Sequence, residues 1–284
     1  MAANTARGRA LGSALRAARD SKGITLRALG QLVGRPAGTL SAWETATHRP
    51  KPDQVAKVLV ALGVTGDEYD EIIQLAYDDE ATTWVATSVP SQRAQLQALV
   101  NFESSAAKIT DVAPSLIPGL LQTGDYIRAI MGVSAPKDEV PARAALRAGR
   151  KEVLTRQGST VQYAAYFGPH TYTYMIGGPH VMAGQLRYVL ELAARPNISI
   201  RAIRRDAGWY PGLEGAFKLV EFEDQPPLVH IETRASGLFF HDDKDVSAYR
   251  RAVGALDKMA HSENETMDLL SNAVRKIERV KVQP

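Results

Sequence analysis

The chain has 284 residues, 45% of them apolar, 34 Lys and Arg against 31 Asp and Glu, and no cysteine. That length suits about two domains, and the composition is that of a globular protein with enough apolar material for a core. The absence of cysteine excludes disulfides, thiolate zinc sites and cysteine nucleophiles, and no stretch approaches the roughly 18 apolar residues of a membrane span.

The N-terminus, MAANTARGRALGSALRAARD, is basic but has neither the apolar core nor the cleavage site of a signal peptide. A cytoplasmic protein is therefore expected. The net charge of +3 hides an asymmetry. Residues 1–51 hold nine Lys and Arg but only Asp20 and Glu44, a net +7, while the remainder holds 25 basic and 29 acidic residues, a net −4. A basic module on a mildly acidic body points to a polyanionic partner for the first part alone. A solvated basic arm would carry the same charge, so the pattern of elements has to decide.

Helical spacing of Leu11, Leu15 and Ala18 predicts a first helix over 10–21, with Arg16 and Arg19 off the stripe. Gly23 stops it. Thr25 is a good N-cap for a second helix with Leu26, Leu29, Leu32 and Val33 on its apolar face, and Gly34 breaks the chain. A third helix begins near Pro36, tolerated in a first turn because its missing N–H would be unpaired there; Leu40 and Trp43 face inward. After the basic loop THRPKP, a fourth helix rests on Val55, Val58, Leu59 and Leu62, and a fifth on Tyr69, Ile72, Ile73 and Leu75.

Two short helices joined by a tight turn inside such a bundle describe a helix-turn-helix. The stretch TLRALGQLVGRPAGTLSAWETATHRPKPDQVAKVLVALG resembles the Xre/Cro-type repressor DNA-binding domain, over roughly residues 10–77. In that geometry the start of the third helix meets base edges, while basic side chains and helix N-termini hold phosphates. Arg35, Thr39, Ser41 and Ala37 are then the candidate base contacts: Arg35 for a guanine, Ala37 or the Thr39 methyl for a thymine methyl. Arg27, Gly38, His48, Arg49 and Lys51 are the candidate phosphate contacts, and Arg35 suits a phosphate equally well. The resembled domain usually carries longer polar side chains at the positions of Ala37, Gly38 and Ala42. The resemblance also implies a structural pair between Arg19 and Glu44.

Residues 79–90 read as a linker. Beyond it, helices are expected over 93–110, after the Pro-Gly turn at 118–119, over 138–158 and over 178–197, followed by two at the C-terminal end. The last opens with Ser262 and Glu265 as a capping box. Strands are expected in TVQYAAYFG, ISIRAIR, GAFKLVEFE, PLVHIETR and GLFFHDD. The fold class is α+β: an all-α five-helix helix-turn-helix domain over 8–78, then a larger α+β domain over 91–280 with a small, mainly antiparallel sheet.

LIPGLLQTGDYIRAIM, GGPHVMAGQLRYVLELAARPNISIRAI, GAFKLVEFED and VHIETRASGLFFHDD resemble the C-terminal domain of a large actinobacterial group of Xre-type, antitoxin-like regulators, often encoded beside a very small partner protein. The resemblance implies a repressor, or a regulator of development or secondary metabolism. Its C-terminal domain would bind the small partner or a ligand. An antitoxin-like interaction protein that neutralises a small partner, with DNA binding for autoregulation, is the alternative. One departure stands out: the block YFGPHTYTYMIGGP carries Pro169 and Tyr172 where the group tends to have a Glu and then a Leu before its Gly-Gly.

No HExxH, GxSxG or phosphate-cradling glycine loop occurs, so no enzyme and no cofactor are expected. His230 and Glu232 share one strand face, as do Glu221 and Glu223; with His170, His180 or Asp206 a metal site is conceivable, but a solvated face alternates in the same way, and no metal is expected. The aromatic loop GWYPGLEG reads as a structured turn or a pocket rim, which makes Trp209, Tyr210, Tyr166, His230 and Glu232 the candidate ligand or partner pocket. The expected partners are double-stranded DNA, a second copy of the chain and a small protein encoded nearby, with no membrane.

Overall fold

The computed structural model describes residues 5–77, 83–85, 89–134, 138, 140–156, 158–233 and 237–280. The elements run α1 (Ala6–Ser21), α2 (Leu26–Val33), α3 (Ala37–Glu44), α4 (Pro52–Ala61), α5 (Gly66–Ala76), β1 (Thr83–Val85), α6 (Val89–Ser105) and β2 (Lys108–Ala113). They continue with α7 (Gly124–Ser134), α8 (Val140–Gly149), α9 (Glu152–Thr155), β3 (Gln162–Phe167), α10 (Gly178–Ala193), β4 (Ile198–Ala202), β5 (Phe217–Glu221), β6 (Leu228–Glu232), β7 (Gly237–Phe240), α11 (Asp243–Met259) and α12 (Glu263–Val280). Two compact units result, one of Met1–Ser105 with Asp224–Val246, the other of Ala106–Glu223 with Ser247–Pro284.

The first unit contains the expected helices α1 to α5, followed by more than was expected. α1 starts four residues earlier than its apolar stripe suggested, because the Thr5 hydroxyl caps it by accepting the Gly8 N–H at 3.0 Å. That extra turn buries Arg9, whose guanidinium donates to Gln225 Oε1 at 3.1 Å and Pro226 O at 3.0 Å and lies 5.1 Å from the centre of the Phe102 ring. Burial lowers the Arg9 guanidinium to about 10. On α2, Leu32 was expected inside but is 60% exposed, so Leu29 anchors that helix.

α6, read from the sequence as the start of the second domain, packs on α1 and α5 instead. It buries Ala98, Leu99 and Phe102 and donates from Asn101 Nδ2 to Ser13 Oγ at 3.1 Å. Residues 83–85, read as linker, form β1, which pairs antiparallel with β7, itself antiparallel to β6; of the rest of 79–90, residues 89–90 open α6, and 79–82 and 86–88 lie outside the described residues. Trp84 stacks on Phe239 at 5.3 Å, Phe102 meets Phe239 edge-on, and the Gln95 side chain bridges Trp84 O and the Gly237 N–H. A fragment ending at residue 78 loses this second layer. At roughly 1.5–3 kcal/mol per buried large apolar side chain, it is expected to melt at least about 10 °C below the same helices in the full chain; thermal circular dichroism that shows equal midpoints would refute this.

In the second unit β2 pairs antiparallel with β5 and parallel with β3, and β3 pairs parallel with β4. Parallel neighbours need a crossover, and α10 supplies the one between β3 and β4, packing against α12. The strand pairings are thus mixed, antiparallel in β1–β7, β6–β7 and β2–β5 and parallel in β2–β3–β4. β2 lies where a helix through Thr110 was expected. Ser104 and Ser105 turn their hydroxyls back to Val100 O and Asn101 O, loosening the last turn of α6, and the β-branched Ile109, Thr110 and Val112 then favour a strand. The expected helix over 138–158 is broken after Gly149 into α8 and α9. At the centre of the sheet Asp111 Oδ2 accepts from Lys218 Nζ at 2.7 Å and from the Tyr163 hydroxyl at 2.8 Å, a buried and compensated charge. The Ser262–Glu265 capping box is present at the start of α12. No helix among the described residues is long and apolar enough to cross a membrane.

Candidate nucleic-acid interface

The motif of interest is α2, its turn and α3. Thr25 Oγ1 accepts the Ala28 N–H at 3.2 Å and opens α2. Gly34, at φ 68°, closes it in the left-handed region that glycine adopts without strain. The Arg35 N–H then returns to Gly30 O at 2.9 Å. The turn is so tight that a Cβ on Gly30 would lie 2.5 Å from Arg35 O; only glycine lets α2 approach the turn that leads into α3.

α3 begins at Ala37, with Pro36 as its N-cap residue and no side-chain cap. Its inner face buries Leu40, Trp43 and Glu44. The outer side holds Arg35 and Gly38, both exposed, with Ala37, Thr39, Ser41 and Ala42 half-buried. Beyond its chain neighbours and the backbone of its own helix, no atom comes within 4 Å of the position a Gly38 Cβ would take, so the first turn of α3 is open to close approach by a ligand backbone. Arg27, His48 and Lys51 are also exposed. Arg49 is half-buried and donates to Leu75 O at 3.2 Å, so part of its guanidinium is used to hold the end of α5.

Arg19 and Glu44 meet bidentately, Nε to Oε1 at 2.7 Å and Nη2 to Oε2 at 2.8 Å. Arg19 also donates to Ile24 O at 2.9 Å, and Arg16 Nε stands 3.4 Å from Glu44 Oε2. The hydrogen bonds with Glu44 raise the Arg19 guanidinium above its ordinary value despite partial desolvation. The pair ties α1 to the end of α3 and so sets the angle at which α3 is presented. The loop after α3 is fixed by Thr47 and His48 N–H groups donating to Ala42 O at 3.0 Å, with Ala46 at φ 54°.

The residues expected to line a pocket are divided between the two units. His230 and Glu232 belong to β6 of the first unit and Tyr166, Trp209 and Tyr210 to the second. His230 is buried with its ring 4.7 Å from that of Phe239, while Glu232 is exposed. The Tyr166 hydroxyl donates to Asp257 Oδ1 at 3.0 Å; burial, aided by that carboxylate, pushes it up to about 12. Tyr210 is buried and Trp209 exposed. A cleft of about 170 Å³ lies between α10 and α12, lined by Pro179, His180, Ala183, Arg187, Ile277 and Glu278, below the roughly 300 Å³ of ordinary ligand pockets. Among the described residues no three His, Asp or Glu stand close enough together to hold a metal ion.

Sequence reasoning missed Arg9 and Gly30. A lone arginine beside the alanines of the α1 stripe was the available signal for the first. The second had none beyond its place before a glycine-containing turn. Two family models match the chain: one described as a helix-turn-helix domain, over residues 10–72, and one described as a domain of unknown function (DUF5753), over residues 96–272. No curated protein and no solved structure matches it.

Proposed function

We propose, from the premise that the chain belongs to the DUF5753 family and carries a helix-turn-helix in front of that domain, that it is a sequence-specific, dimeric transcriptional repressor of the Xre type. The helix-turn-helix makes it a DNA-binding regulator in general terms; the finer reading rests on the face of α3. That face has an exposed Arg35 at its entry, an open first turn at Gly38 and the small side chains of Ala37, Thr39 and Ser41 around it. Arg35 reads a guanine edge, Thr39 and Ala37 contact thymine methyls, and Ser41 supplies a short hydrogen bond. Arg27, His48, Lys51 and the N–H of Gly38 hold phosphates. Arg49 takes a lesser part because it also serves Leu75 O. With so few long side chains on the face, DNA shape carries a large share of selectivity. The C-terminal domain receives the controlling signal, a small partner protein or a ligand.

Binding to the protein's own promoter is expected to weaken steeply with salt. Two or three cationic contacts per protomer give a slope of log K against log salt of about −4 to −5 for a dimer, and a flat dependence would refute the DNA contact. Arg35→Ala is expected to cost about 1–3 kcal/mol and to relax preference at one base pair of each half-site. A uniform loss over all sequences would make Arg35 a phosphate contact instead. A small protein that copurifies in stoichiometric amount through high salt would favour the antitoxin-like alternative.

A further inference from the structure

β2, β3 and β4 run parallel, so their C-terminal ends, Ala113, Phe167 and Ala202, lie on the same edge of the sheet. The loops that leave those ends meet one another. A Cβ on Gly168 would lie 2.2 Å from Pro114 O and 2.7 Å from the Tyr210 hydroxyl, so the backbones of the first two loops touch and Tyr210 of the third closes over them. The Leu213 N–H donates to Tyr210 O at 2.9 Å, and Tyr174 stacks on His170 at 4.8 Å, which keeps both within a few residues of the junction. Around it Leu116, Tyr174, Met175, Trp209 and Leu213 are all exposed, Trp209 to 61%. Of the large apolar side chains exposed among the described residues of this unit, Val133 and Leu146 alone lie elsewhere.

We propose that this loop junction is the surface through which two copies of the chain associate, an inference that rests on reading the chain as a dimeric DNA-binding regulator. Three observations favour a second copy as the occupant. The five side chains expose an apolar area on the order of 500 Å², beyond scattered surface residues and a large part of the roughly 800 Å² per partner in a stable interface. Its rim carries both signs of charge close to Trp209, with Arg205, Asp206 and Glu214 all exposed; a two-fold contact can set such a rim against itself, whereas a uniformly acidic or basic partner would leave half of it unmatched. And a reader with the few base-contacting side chains of α3 needs two half-sites to reach useful affinity.

The test is sedimentation equilibrium of the full-length protein from about 0.1 to 50 µM, with no DNA present. Wild type is expected to dimerise in that range. The double variant Trp209→Ser, Leu213→Ser and, on another loop, Leu116→Ser are each expected to weaken the dimer by tenfold or more, with an unchanged melting curve. A monomeric wild type, a dimer of undiminished affinity in Leu116→Ser and in the double variant, or a foreign protein held at the junction in place of the second copy would each overturn the proposal. Salt-dependent binding of a single half-site, measured on the same samples, reports the DNA-binding reading separately. Its loss in wild type would refute that reading, while its survival in monomeric variants is expected.

Discussion

Arg19→Ala is expected to destabilise the DNA-binding unit by about 3 kcal/mol, several times what an exposed ion pair contributes. The size follows from where the partner sits. The Glu44 side chain is only 4% exposed and Arg19 12%, so removing the guanidinium leaves a carboxylate buried with most of its solvation gone. Arg16, half-exposed and at 3.4 Å, offers partial compensation, which keeps the loss at the low end of the range for broken buried pairs. Glu44→Ala is expected to cost less, since Arg19 keeps Asp20 and Ile24 O and can turn toward water. Urea unfolding of both variants gives the comparison; a loss below 1 kcal/mol for Arg19→Ala would show that water reaches the pair. Operator affinity is expected to fall with Arg19→Ala as well, because the pair fixes α3 against α1.

Gly30→Ala is expected to have a comparable effect on stability, about 2–3 kcal/mol, and a larger one on DNA binding. The new methyl would meet a backbone oxygen at 2.5 Å, and no side-chain rotation can relieve that clash; α2 and the turn must separate. Gly38→Ala is the informative contrast. Its Cβ meets nothing within 4 Å on the helical α3, so the protein is expected to gain up to about 1 kcal/mol from the stiffer helix. Operator affinity is nonetheless expected to drop, because the methyl would intrude on the phosphate contact proposed for the Gly38 N–H. A Gly38→Ala variant that binds as tightly as wild type would remove Gly38 from the phosphate contacts.

These two glycines mark how far a linear reading reaches. Gly34 was legible as a break because an apolar stripe ended before it, and Thr25 as a cap because a stripe began after it. Gly30 and Gly38 look alike in sequence, each a glycine within a short helix. One is required by a backbone contact at 2.5 Å and the other is surrounded by open space. Nothing local separates them, since the contact depends on how sharply the chain turns five residues later.

Periodicity and capping chemistry were enough for the five helices of the bundle, the outward face of α3, the strands β3 to β7 and the capping box at Ser262, because each of these is settled by residues within one or two turns of itself. The pairing of Arg19 with Glu44 was readable only through the resemblance. The boundary of the DNA-binding unit, the β1 strand, the strand β2 and the burial of Arg9 needed the folded chain. Each depends on partners more than a hundred residues away, or on the competition between helix and strand that packing arbitrates: Arg9 bonds to Gln225 and Pro226, Trp84 stacks on Phe239, and Asp111 is neutralised by Lys218. Hydrophobic pattern specifies which face of an element is buried, but not which distant segment buries it, and in this protein residues 224–246 return to complete the unit that the first hundred residues begin.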